Sequence, residues 1–199
     1  MPKPSARALW AARLRGGKGT VRALPETFSA SRTPFSGIIL GIDPSLRGTG
    51  LALVRFEPPQ KGRFLMSETI RPGSSASFTE CLGVIAAAVR RLMEAHGPDA
   101  VAIEETIYVQ NFQTAQKLGA ARGAAIGQAA SCAIPVYEYS PLRIKQAVVG
   151  YGRASKEQVT RQVSDLFNLK QELPYDEADA VAVAYCHAMT LGRGFVAPR

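Results

Sequence analysis

The chain has 199 residues and few side chains suited to soft metals. Its three cysteines, Cys81, Cys132 and Cys186, form no C-x-x-C and are odd in number, so neither a zinc ribbon nor a disulfide framework is suggested, and a reducing compartment fits best. The histidines, His96 and His187, have no partner at metal-ligand spacing and read as ordinary surface or core residues. Long apolar runs are missing too. Apolar residues make up 46% of the chain but lie in short mixed stretches, none near the roughly 20 residues that a membrane span requires, so no membrane association is expected.

Acid is scarce at the start. Residues 1–36 hold seven Lys/Arg against one Glu, while the rest holds 17 against 15, so most of the net charge of +8 sits in an N-terminal arm. The arm is rich in Arg, Ser, Pro and Gly, lacks strand alternation and shows one short helical stretch, Ala6 to Leu14. We expect a basic, mostly disordered extension over 1–36, a folded domain over 37–191 and a short tail over 192–199. The arm's composition also resembles an organellar transit peptide, a minority alternative to a cytoplasmic protein.

From residue 37 the pattern changes to β-branched and apolar runs separated by turn residues. These predict strands at about 37–43, 49–57 and 62–70, with a turn at Pro58-Pro59-Gln60-Lys61-Gly62. Leu82, Ile85, Ala86, Val89 and Leu92-Met93 predict a helix over 78–96 that Gly97-Pro98 ends. A strand at 100–105, a helix at 111–131, a strand at 135–139 and helices near 141–148, 155–168 and 174–191 complete the order. The fold class is therefore α/β: a five-stranded mixed sheet flanked by helices on both faces. Right-handed crossovers would set strand 37–43 beside strand 100–105, where the sheet order reverses and open α/β sheets bind ligands at the strands' carboxyl ends.

Acids stand at those ends. Asp43 closes Ile38-Ile39-Leu40-Gly41-Ile42, Glu104 closes Ala100-Val101-Ala102-Ile103, and Asp176 and Asp179 lie i, i+3 on the last helix. Carboxylates a few Å apart repel unless protonated or bridged by cations, and an all-oxygen set suits Mg²⁺. Two ions roughly 3.5 to 4 Å apart would support in-line phosphodiester hydrolysis. Lys145, Arg153 and Lys156, in the segments leading into the last helix, favour a nucleic-acid substrate. Each acid also has a plainer reading: an Asx-turn at Asp43-Pro44-Ser45, dipole-favoured acids after Pro174, a solvated strand end at Glu104-Glu105. Adjacent strand residues face opposite ways, so one of Glu104 and Glu105 can face Asp43. Small residues, Gly41 and Ala102, precede Asp43 and Glu104 on their faces, a slight cue for Glu104.

Five motifs in order carry a more specific signal: Ile39-Leu40-Gly41-Ile42-Asp43-Pro44 with Thr49-Gly50; Ala102-Ile103-Glu104; Leu118-Gly119-Ala120-Ala121-Arg122-Gly123; Lys145-Gln146-Ala147-Val148-Val149-Gly150 with Lys156; and Asp176-Glu177-Ala178-Asp179-Ala180. Together they resemble the RuvC family of bacterial Holliday junction resolvases, within the ribonuclease H-like nucleases, from Gly37 to about Thr190. The resemblance implies that Asp43, Glu104, Asp176 and Asp179 are catalytic, Mg²⁺-binding acids, which selects Glu104 over Glu105. It further implies two Mg²⁺ per subunit, replaceable by Mn²⁺, and lysines at 145 and 156 that face DNA. A homodimer would nick a four-way junction symmetrically in recombination and repair, partnered by RuvA and RuvB and associated with the nucleoid. Ile107 stands where many members carry an aromatic that meets unpaired bases, so Tyr108 or Phe112 is left to supply the stacking surface. Ser45 replaces a common glycine. The glycines at 119, 123 and 127 recur along one helix, either at a dimer interface or against the helix's own sheet. Competing functions are a related nuclease acting on flaps or RNA/DNA hybrids, and a branched-DNA binding module without cleavage.

Overall fold

The computed structural model describes residues 34–58, 61–106 and 111–191. The arm up to residue 33, its short helical stretch, Ile107, Tyr108 and the tail from 192 lie outside the described residues.

An antiparallel meander comes first: β1 (Gly37–Asp43), β2 (Thr49–Glu57) and β3 (Lys61–Ile70). Then follow α1 (Phe78–His96), β4 (Ala100–Glu104), α2 (Phe112–Ser131), β5 (Val136–Tyr139), α3 (Pro141–Val149), α4 (Lys156–Phe167) and α5 (Tyr175–Leu191). The sheet order is β3-β2-β1-β4-β5, with β1, β4 and β5 parallel, so the expected mixed five-stranded sheet is observed. Element ends fall within a residue of their expected positions because the capping residues are strong. Ser77 with Glu80 and Ser155 with Gln158 form capping boxes, while Gly97 and Asn168 close their helices in the left-handed conformation.

β1 is central, and its apolar run is buried on both faces. Leu40 and Ile42, with Leu51, Leu53, Val101 and Ile103, pack against Ile85, Val89 and Leu92 of α1 and Ala121, Ala125 and Ala129 of α2. Ile39, Ala52, Val54 and Ala102 face Ile144 of α3, Val159 and Val163 of α4 and the Ala180–Ala184 stretch of α5. The second core extends to Phe35, just before β1. Its ring stands edge-on to buried His187 at 5.3 Å, so the folded body begins before the expected boundary at 37.

α5 lies directly on the sheet, because β1 and β2 present glycine beneath it. A Cβ on Gly41 would stand 2.0 Å from the Ala180 carbonyl oxygen, and one on Gly50 1.8 Å from that of Asp176. α2 is arranged the other way round. Its alanines face the sheet, while Gly119, Gly123 and Gly127 are exposed, with nothing within 4 Å of where their Cβ atoms would be. The glycine row does not pack on its own sheet.

Candidate active site

The register of β1 and β4 pairs Gly41 with Ala102 and Ile42 with Ile103. One step further along both parallel strands puts Asp43 beside Glu104, on the face covered by α5. Glu105 has left the β1 ladder, and its backbone N–H donates to the Tyr139 carbonyl at 2.9 Å. Strand alternation alone left the two glutamates nearly tied, and register separates them.

Asp179 closes over this pair from the first turns of α5. The three acids line a cavity of about 340 Å³ that Glu105 also borders, whose apolar walls include Pro44, Leu118, Ile144 and Val159 and whose cations are Lys145 and Lys156. Lys156, the first residue of α4, places Nζ 3.6 Å from Asp179 Oδ2. Asp176 stands at the rim instead. It pairs with Arg71 Nη2 at 3.3 Å, and its Oδ2 would lie 3.2 Å from a Cβ on Gly48, so a side chain in the β1–β2 turn would crowd it.

Charge is the site's main physical problem. Burial, then the charges of Glu104 and Asp179, push the Asp43 carboxyl up to about 8, although Lys156 pulls it back. Burial and Asp179 likewise push Glu104 up to about 7, against the pull of Lys156 and a hydrogen bond from Asp43. Burial also raises Asp179, and Lys156 is its main counterweight. The chain's own cations therefore leave the acids under-neutralised at neutral pH, a deficit that a bound cation would relieve. The donor set is all oxygen, which fits a hard ion. Among the described residues, no three His, Cys, Asp or Glu side chains already close round one point. Lys156 and Arg71 stand against two of the acids instead.

The other expected residues are more scattered. Arg153 lies exposed in the α3–α4 loop and does not line the cavity. Phe112 opens α2 and is 73% exposed, after Asn111 caps the helix by accepting from the N–H groups of Gln113 and Thr114. Motif residue Arg122 forms an ion pair with Glu138, tying α2 to β5. Two features escaped sequence reasoning. Arg71 is one: it continues the alternation Ser67-Thr69-Arg71, which reads as the solvent face of an edge strand. The other is a second hollow of about 350 Å³ beyond Leu118, between Leu46, Phe78, Thr114 and Lys117.

A five-stranded sheet of this order, with acids at the carboxyl ends of β1 and β4 and others over them from the last helix, is the ribonuclease H-like arrangement, and the solved structures it matches are of that class. A Thermus thermophilus RuvC solved in complex with a Holliday junction substrate superposes with a TM-score of 0.75 at 34% identity, covering 79% of this chain and 96% of that one. The yeast mitochondrial Holliday junction resolvase Ydc2, at 13% identity and a TM-score of 0.59, shares the fold. The family model for crossover junction endodeoxyribonuclease RuvC matches residues 39–187. Enzymes of that name from Coxiella burnetii and Moorella thermoacetica are 44% and 43% identical, over 76% of this chain and 87% and 90% of theirs. The chain belongs to the RuvC family of crossover junction endodeoxyribonucleases, which are metal-dependent nucleases.

Proposed function

We propose that the protein resolves four-way DNA junctions by paired, symmetric nicks, with Asp43, Glu104, Asp176 and Asp179 as its metal-binding catalytic acids. The observation that carries this reading is the register of β1 and β4, which sets Asp43 beside Glu104 under the first turns of α5, in a chain of this family. Mg²⁺, two per subunit and replaceable by Mn²⁺, would supply activation of water and neutralisation of charge on the phosphate and its leaving 3′ oxygen. Asp43 and Glu104 hold the inner side of that site. Asp179 closes it from above, and Asp176 reaches it from the rim once released from Arg71. Lys145 and Lys156 line the same cavity, with Lys156 beside Asp179, and would hold phosphate oxygens of the DNA there. Arg153 meets the phosphate backbone further out. Phe112, exposed at the start of α2, offers a face for an unpaired base, together with Tyr108 or Ile107 from the preceding loop.

A junction with a two-fold axis calls for two such sites related by the same symmetry. The exposed ridge of Gly119, Gly123 and Gly127 supports a homodimer formed through α2, since bare backbone lets a second helix approach closely. RuvA and RuvB are the partners that this reading implies, in the cytoplasm at the nucleoid. Among the described residues no helix is long and apolar enough to cross a membrane.

Cleavage of a synthetic four-way junction in Mg²⁺, beside linear duplex and RNA/DNA hybrid, tests the reading. Symmetric nicking of the junction alone is expected, and equal cutting of the hybrid would sink it. Asp43→Asn should bind the junction and leave it uncut, because a neutral amide is a poor ligand for Mg²⁺. Cutting by Asp43→Asn at ordinary Mg²⁺ would remove Asp43 from the ligand set.

A further inference from the structure

Glu177 stands between two of the four acids in sequence, but its carboxylate does not line the cavity. Each helical residue turns about 100° from the one before, so Glu177 projects sideways from Asp176 and nearly opposite to Asp179. Its oxygens reach across to the edge strand. They accept from the Ser67 hydroxyl at 2.6 Å and from the Thr69 hydroxyl at 3.2 Å. Ser67 and Thr69 are alternate residues of β3 and share a face. The next position on that face is Arg71, the residue that holds Asp176.

This row is in line with the acids. Thr69 pairs with Gly50 on β2, and Gly50 pairs in turn with Asp43 on β1. Gly50 is also the glycine on which the Asp176 carbonyl rests. The first turn of α5 is therefore fixed at two points along one line across three strands: backbone against Gly50, and a carboxylate clamped to Ser67 and Thr69.

We propose that Glu177 is a positioning residue and not a metal ligand. By clamping the first turn of α5 to β3, it sets where Asp176 and Asp179 stand relative to Asp43 and Glu104, and so whether one ion can be shared across the strand and helix sides of the site. The proposal rests on the reading of those four acids as the metal ligands. Ligands carried on two separate elements need such a mount, since a misplacement of about 1 Å can cost on the order of a hundredfold in rate.

The test uses the full chain and two readouts: calorimetric titration of the metal-free protein with Mn²⁺, and junction cleavage at saturating Mg²⁺. Glu177→Ala and the pair S67A/T69V should each weaken Mn²⁺ binding and lower kcat by roughly tenfold to a hundredfold, as loss of an outer-shell partner does, with junction binding unchanged. Glu177→Gln should recover most of both, because its amide oxygen accepts from one hydroxyl while its NH2 donates to the oxygen of the other. If Glu177→Ala does not fold, the strand pair S67A/T69V carries the test. Mn²⁺ affinity at the wild-type level in Glu177→Ala or in S67A/T69V would overturn the proposal. So would a Glu177→Gln variant as defective as Glu177→Ala beside an unaffected S67A/T69V, the pattern of a ligand. Wild-type protein that binds Mn²⁺ but leaves junctions uncut would overturn the nuclease reading while the titration still decides the role of Glu177. Unaltered Mn²⁺ binding by Asp179→Asn would overturn the ligand set, and the proposal with it.

Discussion

α5 and α2 cover opposite faces of the same sheet, and glycine shapes the surroundings of both helices, but from opposite sides. Under α5 they belong to the strands, where Gly41 and Gly50 admit the helix backbone to within contact of the sheet. On α2 they belong to the helix and face outward, while alanines make the inner contact. The same residue thus serves two ends. In the sheet it fixes the height of a helix that carries acids, and on the outer helix face it leaves room for another surface.

The largest effect should come from filling the inner gap. Gly50→Ala would drive a methyl into the Asp176 carbonyl, which backbone cannot easily avoid, at a cost on the order of 3 kcal/mol or more. Urea unfolding should show that loss, and Mn²⁺ titration should show a site displaced along with α5. A wild-type midpoint would mean that α5 has slack, and the contrast with α2 would collapse.

The buried end of α5 offers the next test. His187 lies among Phe35, Tyr137 and Tyr139, hydrogen-bonded through Nδ1 to the Tyr139 hydroxyl at 2.8 Å, and burial pushes its imidazole down to about 4. Below about pH 6.5 the unfolded chain takes up a proton that the folded one refuses until about pH 4. Stability is then fully present above 6.5 and falls as pH drops toward 4, by up to roughly 3 kcal/mol. Asp43 and Glu104, raised by burial, act with the opposite sign over part of this range, so the measurement is the difference between wild type and His187→Phe in urea at pH 7 and pH 5.

On the outer face, Gly123→Leu should leave the folded chain intact and weaken self-association by at least about tenfold, near 1.4 kcal/mol, as read by sedimentation. An unchanged dimer would separate the glycine row from assembly. Smallest is Gly123→Ala, which in a helix interior should stabilise the subunit by up to about 1 kcal/mol, since nothing lies near the added methyl. If the same change destabilises the dimer, close backbone approach is the reason for the glycine.

Much of the fold was legible because its signals are local: β-branched runs between turn residues, Ser77 and Ser155 before helical spacing, Gly97-Pro98 after it. The pairing of Asp43 with Glu104 was half legible. Face alternation limited it to two glutamates, and the register that decides between them is a contact between segments some sixty residues apart in the chain. The clamp at Ser67, Thr69 and Arg71 was not legible at all. Polar alternation on an edge strand looks the same whether it faces water or the polar side of a helix. Phe35 was hidden for a different reason, since one ring at the end of a basic, Ser- and Pro-rich stretch does not change the composition of that stretch.

The order in which the acids occur along the chain has its own consequence. Asp43 ends the first strand and Asp179 lies on the last helix. As the polypeptide is synthesised, β1 emerges early and α5 late, so a chain interrupted between β4 and α5 holds Asp43 and Glu104 but neither Asp176 nor Asp179. If the four acids are the ligands proposed above, the capacity to cut a DNA backbone would be among the last things this chain acquires, and an unfinished copy would lack it.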